Sequence, residues 1–217
     1  MKKALLILVI LSISLSCKKD NPTDPNLVNY ESVTIGTQVW MKKNLDVDHY
    51  RNGDTIPEVR DSAVWVNLKT GAWCYYNNDR ALGAIYGKLY NWYAVNDPRG
   101  LAPVGWHVPT NYEWQTSVSY IGGISAGGKL KDSSSNYWNR PNIGATNETG
   151  YSALPGGHRD GREQPQFDGL GKIGYWWTSS VYNNYSAMSR ELEFTDANIS
   201  ELFINKSIGS SVRCIKD

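Results

Sequence analysis

Short alternations of hydrophobic and polar residues predict β-strands near both ends of the chain. In residues 32–47, apolar positions such as Val33 and Ile35 alternate with polar ones on either side of a Gly36-Thr37 turn. This pattern predicts a β-hairpin. Further strands are predicted in residues 174–180, 186–193 and 210–217.

Two segments carry the apolar spacing of helices. In residues 81–95, apolar side chains recur at i, i+4 and i+7, which places them on one helix face. In residues 110–121, a similar stripe follows Thr110 and Glu113, which have the T-x-x-E spacing of a capping box. Each segment therefore predicts one helix with a buried face.

Irregular segments fill much of the remaining chain. Residues 62–79 predict a short strand, a turn and a loop, and the sequence after Gly128 is mostly loop up to the Trp-rich strand. An irregular stretch of that length inside a domain is normally functional or stabilised by a metal. Together the patterns predict a loop-rich, mixed α+β domain.

The aromatic residues are unusual in kind, because the chain has 9 Trp and 14 Tyr but only 3 Phe. Trp and Tyr combine apolar area with a polar group, which suits half-buried positions. Trp176 and Trp177 are adjacent, so on a strand their side chains point to opposite faces. Either both rings build a core, or one of them is free to stack on a ligand.

The first residues predict export and lipid anchoring. A basic pair precedes an apolar stretch at 4–15 that is too short to span a membrane, and small residues then lead to Cys17. This order resembles a bacterial lipoprotein signal, which implies acylation of Cys17; an ordinary signal peptide with an incidental cysteine is the alternative. The expected location is the cell envelope, with the lipid in the outer membrane or at the cell surface. The predicted divisions are a signal peptide at 1–16, a polar tether at 17–29 and a domain at 30–217.

The domain holds two cysteines, Cys74 and Cys214. Export permits disulfides, so this pair predicts one bridge; two buried free thiols are the alternative. Neither cysteine has a second ligand at the spacing of a zinc site. The three histidines, His49, His107 and His158, also lack metal-ligand spacing.

Eight segments follow one another in a recognisable order over about residues 30–217. They are QVWMKKNLDV, WCYYNND, YGKLYNWYAV, GWHVPTNYEW, GGKLK, GATNETGYSALPGG, YWWTSS and SVRC. Together they resemble the Fibrobacter succinogenes major paralogous domain, a family of exported and often lipid-anchored bacterial proteins. That family is similar to C-type-lectin-like domains and to the formylglycine-generating enzyme, or sulfatase-modifying factor. The resemblance implies paired N- and C-terminal strands, two flanking helices and long loops at one end.

The residues argue against catalysis. The formylglycine-generating enzyme uses two closely spaced cysteines near its C-terminus, whereas Cys214 stands alone there. His107 occupies a position where that branch has Arg, so we expect it to pack or cap near the helix start. There is no Ser/His/Asp order, P-loop or zinc motif, and the formal charge of +1 lacks the basic excess of a nucleic-acid binder. We therefore expect neither enzymatic activity nor a nucleic-acid partner.

No cofactor is expected, and calcium is the alternative that the resemblance introduces. Hard oxygen ligands of the kind calcium prefers are available in the loops. The candidate ligands are Asn142, Asn147, Glu148 and Asp168. The sugar-calcium signatures E-P-N and Q-P-D are absent, since QPQ at 164–166 lacks the acid. The competing interpretation is that these loop side chains bond their own backbone in Asx turns.

Two functions fit these expectations. The first is a non-catalytic binding module that recognises a polysaccharide or an envelope protein through its long loops, where binding residues usually lie. The candidate contact residues are Trp138, Arg159, Trp177, Tyr182 and Asn183. The second is a structural component of the envelope with no small ligand. An exposed aromatic cleft would favour the first function, and burial of every tryptophan would favour the second.

Overall fold

The computed structural model of the chain describes residues 29–161 and residues 167–217. The predicted signal peptide, the acylation of Cys17 and nearly all of the predicted tether lie outside the described residues. Within the described residues, no helix has both the length and the apolar character needed to cross a membrane.

The described residues form short helices, short strands and long connections. The helices are α1 Ser62–Val66, α2 Arg80–Tyr86, α3 Trp92–Val95 and α4 Asn111–Ile121, with 3-10 helices at Tyr76–Asn78 and Ile124–Lys129. The strands are β1 Ser32–Ile35, β2 Gln38–Met41, β3 Trp73–Cys74, β4 Leu89–Tyr90, β5 Trp106–His107, β6 Gly156–Arg159, β7 Phe167–Leu170, β8 Ile173–Val181, β9 Ser186–Glu193, β10 Ile199–Asn205 and β11 Ile215–Lys216. The mixed α+β class predicted from the sequence is confirmed.

The two ends of the domain meet in a four-stranded sheet with the order β1-β2-β11-β5. The predicted hairpin is present as β1 and β2, joined by the turn at Gly36. Ile215 of β11 pairs with Trp40 on one side and with His107 on the other. The predicted pairing of N- and C-terminal strands is therefore confirmed.

A five-stranded sheet with the order β10-β9-β8-β6-β7 forms the second layer, and β8 is its central strand. Strand β8 runs antiparallel to β9, with an irregularity between Trp177 and Val181, and parallel to β6 at the pair Gly157 and Gly174. The sequence patterns missed β6, β7 and β10.

The single helix predicted over residues 81–95 is wrong, because β4 separates α2 from α3. Gly87 ends α2 with a φ of 76° that an α-helix cannot continue. A Cβ atom at Gly87 would lie 3.0 Å from the carbonyl oxygen of Leu45, so the close backbone approach requires glycine. The next helix starts anew, since the Asn91 side chain caps α3 by accepting the N–H of Ala94.

Helix α4 forms as predicted, and its capping box is present. The Thr110 hydroxyl accepts the N–H of Glu113, and a Glu113 carboxylate oxygen accepts the N–H of Thr110 at 2.7 Å. Gly122 closes the helix in the left-handed conformation. The short strand predicted early in residues 62–79 is instead α1, because the Asp61 side chain accepts the N–H of Val64 and starts a helix.

The adjacent tryptophans of β8 lie in two different hydrophobic cores. Trp177 packs in the cluster that contains Val212 and Cys214, and Trp176 packs in the cluster that contains Trp40 and Trp114. Both rings are fully buried. Because neighbouring side chains of a strand point to opposite faces, β8 uses the pair to fill the space on both sides of the sheet.

Candidate functional site

All nine tryptophans are buried, and the most exposed of them, Trp106, is 7% exposed. An indole ring that stacks on a sugar must present a face to solvent. The predicted contact residues Trp138 and Trp177 are 3% and 0% exposed, so their assignment as ligand-binding residues is wrong.

The indole N–H groups join segments of the backbone that are separate in sequence. Five of them donate to carbonyl oxygens of distant segments at 2.8–3.0 Å. These bonds run from Trp65 to Ser207, Trp73 to Ile56, Trp92 to Thr178, Trp138 to Ala153 and Trp177 to Tyr90. A buried carbonyl without any partner costs about 1–3 kcal/mol. The carbonyls of Tyr90 and Ala153 also accept the backbone N–H groups of Ser210 and Asp132, so there the indole adds a second hydrogen bond.

Buried cations form a second set of interior anchors. The buried basic residues are Lys88, Lys131, Arg159, Arg190, Lys206 and Arg213. Five of them lie over aromatic rings, and among the described residues Arg190 has no such contact. The Lys88 ammonium, for example, lies 4.4 Å from the ring centroid of Trp73. Lys88 and Arg190 are also paired with carboxylates, whereas Lys131 and Arg159 donate to backbone carbonyls.

Arg159, a third predicted contact residue, belongs to this interior set. Its Nη1 donates to the carbonyl of Val59 at 2.7 Å and its Nη2 to that of Arg60 at 3.0 Å. The guanidinium lies 4.4 Å from the ring centroid of Trp65 and 5.2 Å from that of Phe167. With 1% exposure it cannot contact a ligand at the surface, and its prediction as a binding residue is wrong.

The predicted disulfide is not formed. Cys74 and Cys214 are free, buried thiols that lie in separate hydrophobic clusters. Burial raises the pKa of Cys74 to about 11 and also raises the pKa of Cys214, so both thiols stay protonated at neutral pH. A protonated, buried thiol is a poor nucleophile.

Two of the four candidate calcium ligands serve the backbone of their own loop. Asn142 and Asn147 adopt left-handed conformations, with φ of 48° and 52°. The Asn142 side-chain amide donates to the backbone carbonyl of Asp132 at 3.1 Å, and the Asn147 side-chain oxygen accepts the N–H of Ser152 at 2.8 Å. Both side chains therefore bond nearby backbone, over spans of ten and five residues that are longer than those of the Asx turns expected from the sequence.

The two candidate carboxylates also have local contacts. Glu148 is exposed and lies 3.5 Å from the ammonium of Lys129, and Asp168 in β7 accepts the N–H of Gly169 at 2.7 Å. Among the described residues, no group of three or more His, Cys, Asp or Glu side chains is placed to hold a metal ion.

His107 is held between two carboxylates beside a cavity of about 330 Å³. Its Nε2 lies 2.9 Å from Glu113 and its Nδ1 lies 2.7 Å from Asp217, so it packs against the first turn of α4, near the helix start as the sequence predicts. Burial alone would lower the pKa of His107, but these two contacts raise it, and the net pKa lies above the ordinary value. Ser179 lines the same cavity, yet both imidazole nitrogens already have carboxylate partners and neither is available to accept its proton.

The remaining predicted contact residues, Tyr182 and Asn183, do lie at the surface. Tyr182 is 56% exposed and stacks on Phe203 of β10, which is 48% exposed, with ring centroids 4.1 Å apart. Tyr185, in the same β8–β9 turn, is 76% exposed. We call Tyr182, Tyr185 and Phe203 the aromatic patch.

The turn that carries the aromatic patch is fixed by polar contacts. The Asn183 side-chain oxygen accepts the backbone N–H groups of Tyr185 and Ser186, each at 2.8 Å. Beneath them, the Lys206 ammonium donates to the carbonyl of Asn184 at 3.2 Å and lies 4.8 Å from the ring centroid of Trp92. The patch therefore lies at a turn that these hydrogen bonds hold in one conformation.

Phe203 is not among the predicted contact residues, although the sequence carries a signal that it is exposed. Leu202, Phe203 and Ile204 are three consecutive apolar residues in β10, which is an edge strand of its sheet. A strand with one buried face can cover only alternate side chains, so such a run must leave at least one apolar side chain outward. In the structure that side chain is Phe203.

Comparison with known proteins gives one match. The family model of the Fibrobacter succinogenes major domain matches residues 33–216, which is nearly all of the described chain. No curated protein and no solved structure matches the sequence.

Proposed function

Since the chain belongs to the Fibrobacter succinogenes major domain family, we propose that it is a non-catalytic, lipid-anchored module of the cell envelope that binds a protein through its aromatic patch. The observation that carries this proposal is the division of its aromatic residues. Every tryptophan is buried in the scaffold, while Tyr182 stacks on Phe203 at the surface and Tyr185 is exposed in the adjoining β8–β9 turn.

A protein partner suits the aromatic patch better than a polysaccharide does. Exposed aromatic side chains on a rigid support are typical centres of protein interfaces. Sugar sites combine a ring with several free polar groups in a concave pocket. At this turn, the side-chain oxygen of Asn183 is already bonded to two backbone N–H groups.

The absence of catalysis is supported by the state of the reactive side chains. Both thiols are buried and protonated at neutral pH, and both nitrogens of His107 contact carboxylates. A general base needs a free nitrogen within reach of the proton that it removes. None of these three residues meets the requirement for nucleophilic or acid–base work.

The lipid anchor would keep the module close to its membrane. Residues 18–28, if extended, reach roughly 35–40 Å from the acylated Cys17. We expect Cys17→Ser to move the protein from the membrane fraction to the soluble fraction, with the signal segment retained. Fractionation followed by mass spectrometry of the N-terminus checks this, and a Cys17→Ser protein that still sediments with membranes would contradict it.

Site-specific photo-crosslinking in intact cells tests the partner surface. A benzophenone amino acid replaces Tyr185 in the patch, and a matched one replaces Tyr120, which is 69% exposed on α4. We expect a discrete protein adduct from position 185 that Phe203→Ser abolishes, and no such adduct from position 120. The same adducts from both positions, or binding to a glycan array that Phe203→Ser abolishes, would contradict a protein partner.

A further inference from the structure

Lys131 is fully buried, and its ammonium lies in a cage of three backbone carbonyl oxygens. The Nζ atom donates to Ile143 at 2.8 Å, to Glu193 at 2.9 Å and to Asp196 at 2.8 Å. An ammonium group has three donors and no acceptor, so these three bonds satisfy it completely.

The surroundings favour a charged group at this position. The Nζ atom lies 5.3 Å from the ring centroid of Trp138, within the range of a cation–π contact. Burial lowers the pKa of Lys131 to about 8, which still leaves the side chain mainly protonated at neutral pH. The ligands are carbonyl oxygens of the backbone, unlike the Asp46 carboxylate that pairs with the buried Lys88.

The three carbonyls come from two parts of the chain that are far apart in sequence. Ile143 lies in the long loop after the 3-10 helix Ile124–Lys129, Glu193 ends β9, and Asp196 lies in the turn between β9 and β10. Two backbone bonds support the same junction, from Ile143 N–H to Phe194 at 3.0 Å and from Gly128 N–H to Ala197 at 2.9 Å. The ammonium therefore stands where a structural cation would join a loop to a turn.

We propose that the carbonyls of Ile143, Glu193 and Asp196 form a site for a monovalent, hydrogen-bonding cation. In the native protein the Lys131 ammonium is the cation that occupies this site. The class of ligand follows from the donors and acceptors. Three neutral carbonyls match the three N–H groups of an alkylammonium ion, whereas calcium prefers six to eight oxygens that include carboxylates. Shortening Lys131 vacates the site for a free alkylammonium of matching length.

The test is chemical rescue of Lys131→Ala in the full-length protein. This substitution removes three methylene groups and the ammonium, which together correspond to n-propylammonium. We expect the Tm to fall by roughly 10 °C or more, because three buried carbonyls lose their donors. Propylammonium chloride should restore several degrees in a concentration-dependent manner, relative to sodium chloride at the same ionic strength.

Matched controls make the rescue specific. Tetramethylammonium has the charge but no N–H group, and Val118→Ala opens a cavity in an apolar cluster. Neither the Lys131→Ala protein in tetramethylammonium nor the Val118→Ala protein in propylammonium should gain stability. Equal gains in either control, or no gain of Lys131→Ala in propylammonium, would overturn the proposal.

A second variant tests the cation site if Lys131→Ala does not fold. Lys131→Met retains the length of the side chain and removes its donors, so we expect it to be destabilised by a similar amount. A Tm within about 2 °C of the wild-type value would overturn the cation site. For Lys131→Ala itself, the yield of refolding with and without propylammonium then replaces the melting curve, and an unchanged yield would also count against the proposal.

Discussion

The tryptophans of this molecule all lie in the interior, whereas its tyrosines are divided between the interior, as with Tyr90 and Tyr151, and the surface. All nine tryptophans are in the interior, whereas Tyr112, Tyr120, Tyr182 and Tyr185 are between 56% and 81% exposed. The difference reflects their polar groups. An indole has one N–H donor, which matches a single loop carbonyl, while a phenol both donates and accepts and is readily solvated.

The comparison shows why a Trp-rich composition is a weak indicator of a carbohydrate-binding surface. In a domain with short helices and strands, many backbone carbonyls lie outside regular structure and need donors from side chains. Trp65 and Trp138 supply such donors to segments 142 and 15 residues away. Buried aromatic side chains in this domain therefore both fill the core and hydrogen-bond to loop carbonyls.

The largest loss of stability is expected from a substitution in the interior. We expect Trp177→Ala to lower the free energy of unfolding by about 3–5 kcal/mol, because it empties a fully buried position. It also leaves the carbonyl of Tyr90 without its indole donor. Urea denaturation followed by far-UV circular dichroism gives the difference, and a loss below about 1 kcal/mol would show that the ring is not a core element.

An intermediate effect is expected at His107, where β5 and the C-terminal Asp217 meet α4. The contacts of His107 with Asp217 and Glu113 raise its pKa above the unfolded value of 6.5. A raised pKa gives stability that is fully present below pH 6.5 and is lost as the pH rises through the folded pKa. Because the imidazole side chain is 36% exposed, solvent screening limits the contribution to about 1 kcal/mol or less.

The check compares wild type with His107→Gln between pH 5.5 and pH 9, a range chosen to span the ordinary pKa of histidine. The stability difference between the two proteins should be largest at the acidic end and should shrink as the pH rises. Glu113→Gln serves as the matched control, because it removes one of the two carboxylate partners. A difference that grows with pH would contradict a stabilising role for the contacts of His107 with Glu113 and Asp217.

The smallest effect on folding is expected at the aromatic patch. Phe203→Ser should change the free energy of unfolding by no more than about 0.5 kcal/mol, since half of the ring is already in solvent. The same substitution should abolish the crosslink from position 185. A large loss of stability would place Phe203 in the scaffold and remove it from the binding surface.

Local signals were read correctly from the sequence. The capping box at Thr110 and the Gly36-Thr37 turn each lie within a few residues, and both elements formed as predicted. The helix over residues 81–95 failed because Gly87 approaches the backbone of Leu45, a contact that no periodicity reveals.

The candidate site was predicted less well, for a non-local reason. Arg159 and Trp138 stand in loop-like sequence, which suggested exposure, but each reaches carbonyls of another segment and is buried. Tyr182 and Asn183 do lie at the surface, in a short polar turn, and their role in binding stays a prediction. Phe203 joins them only through the pairing of β10 with β9, which the sequence patterns did not include.

Acrylamide quenching of tryptophan fluorescence tests the division between interior and surface most directly. We expect the native full-length protein to show a blue-shifted emission maximum and slow, uniform quenching that glycans do not alter, as nine buried indoles require. Phe203→Trp supplies the matched control, since it places one indole in the aromatic patch and should add a red-shifted, readily quenched component. A wild-type protein that already shows such a component, or whose quenching a glycan reduces, would contradict an all-interior role for tryptophan.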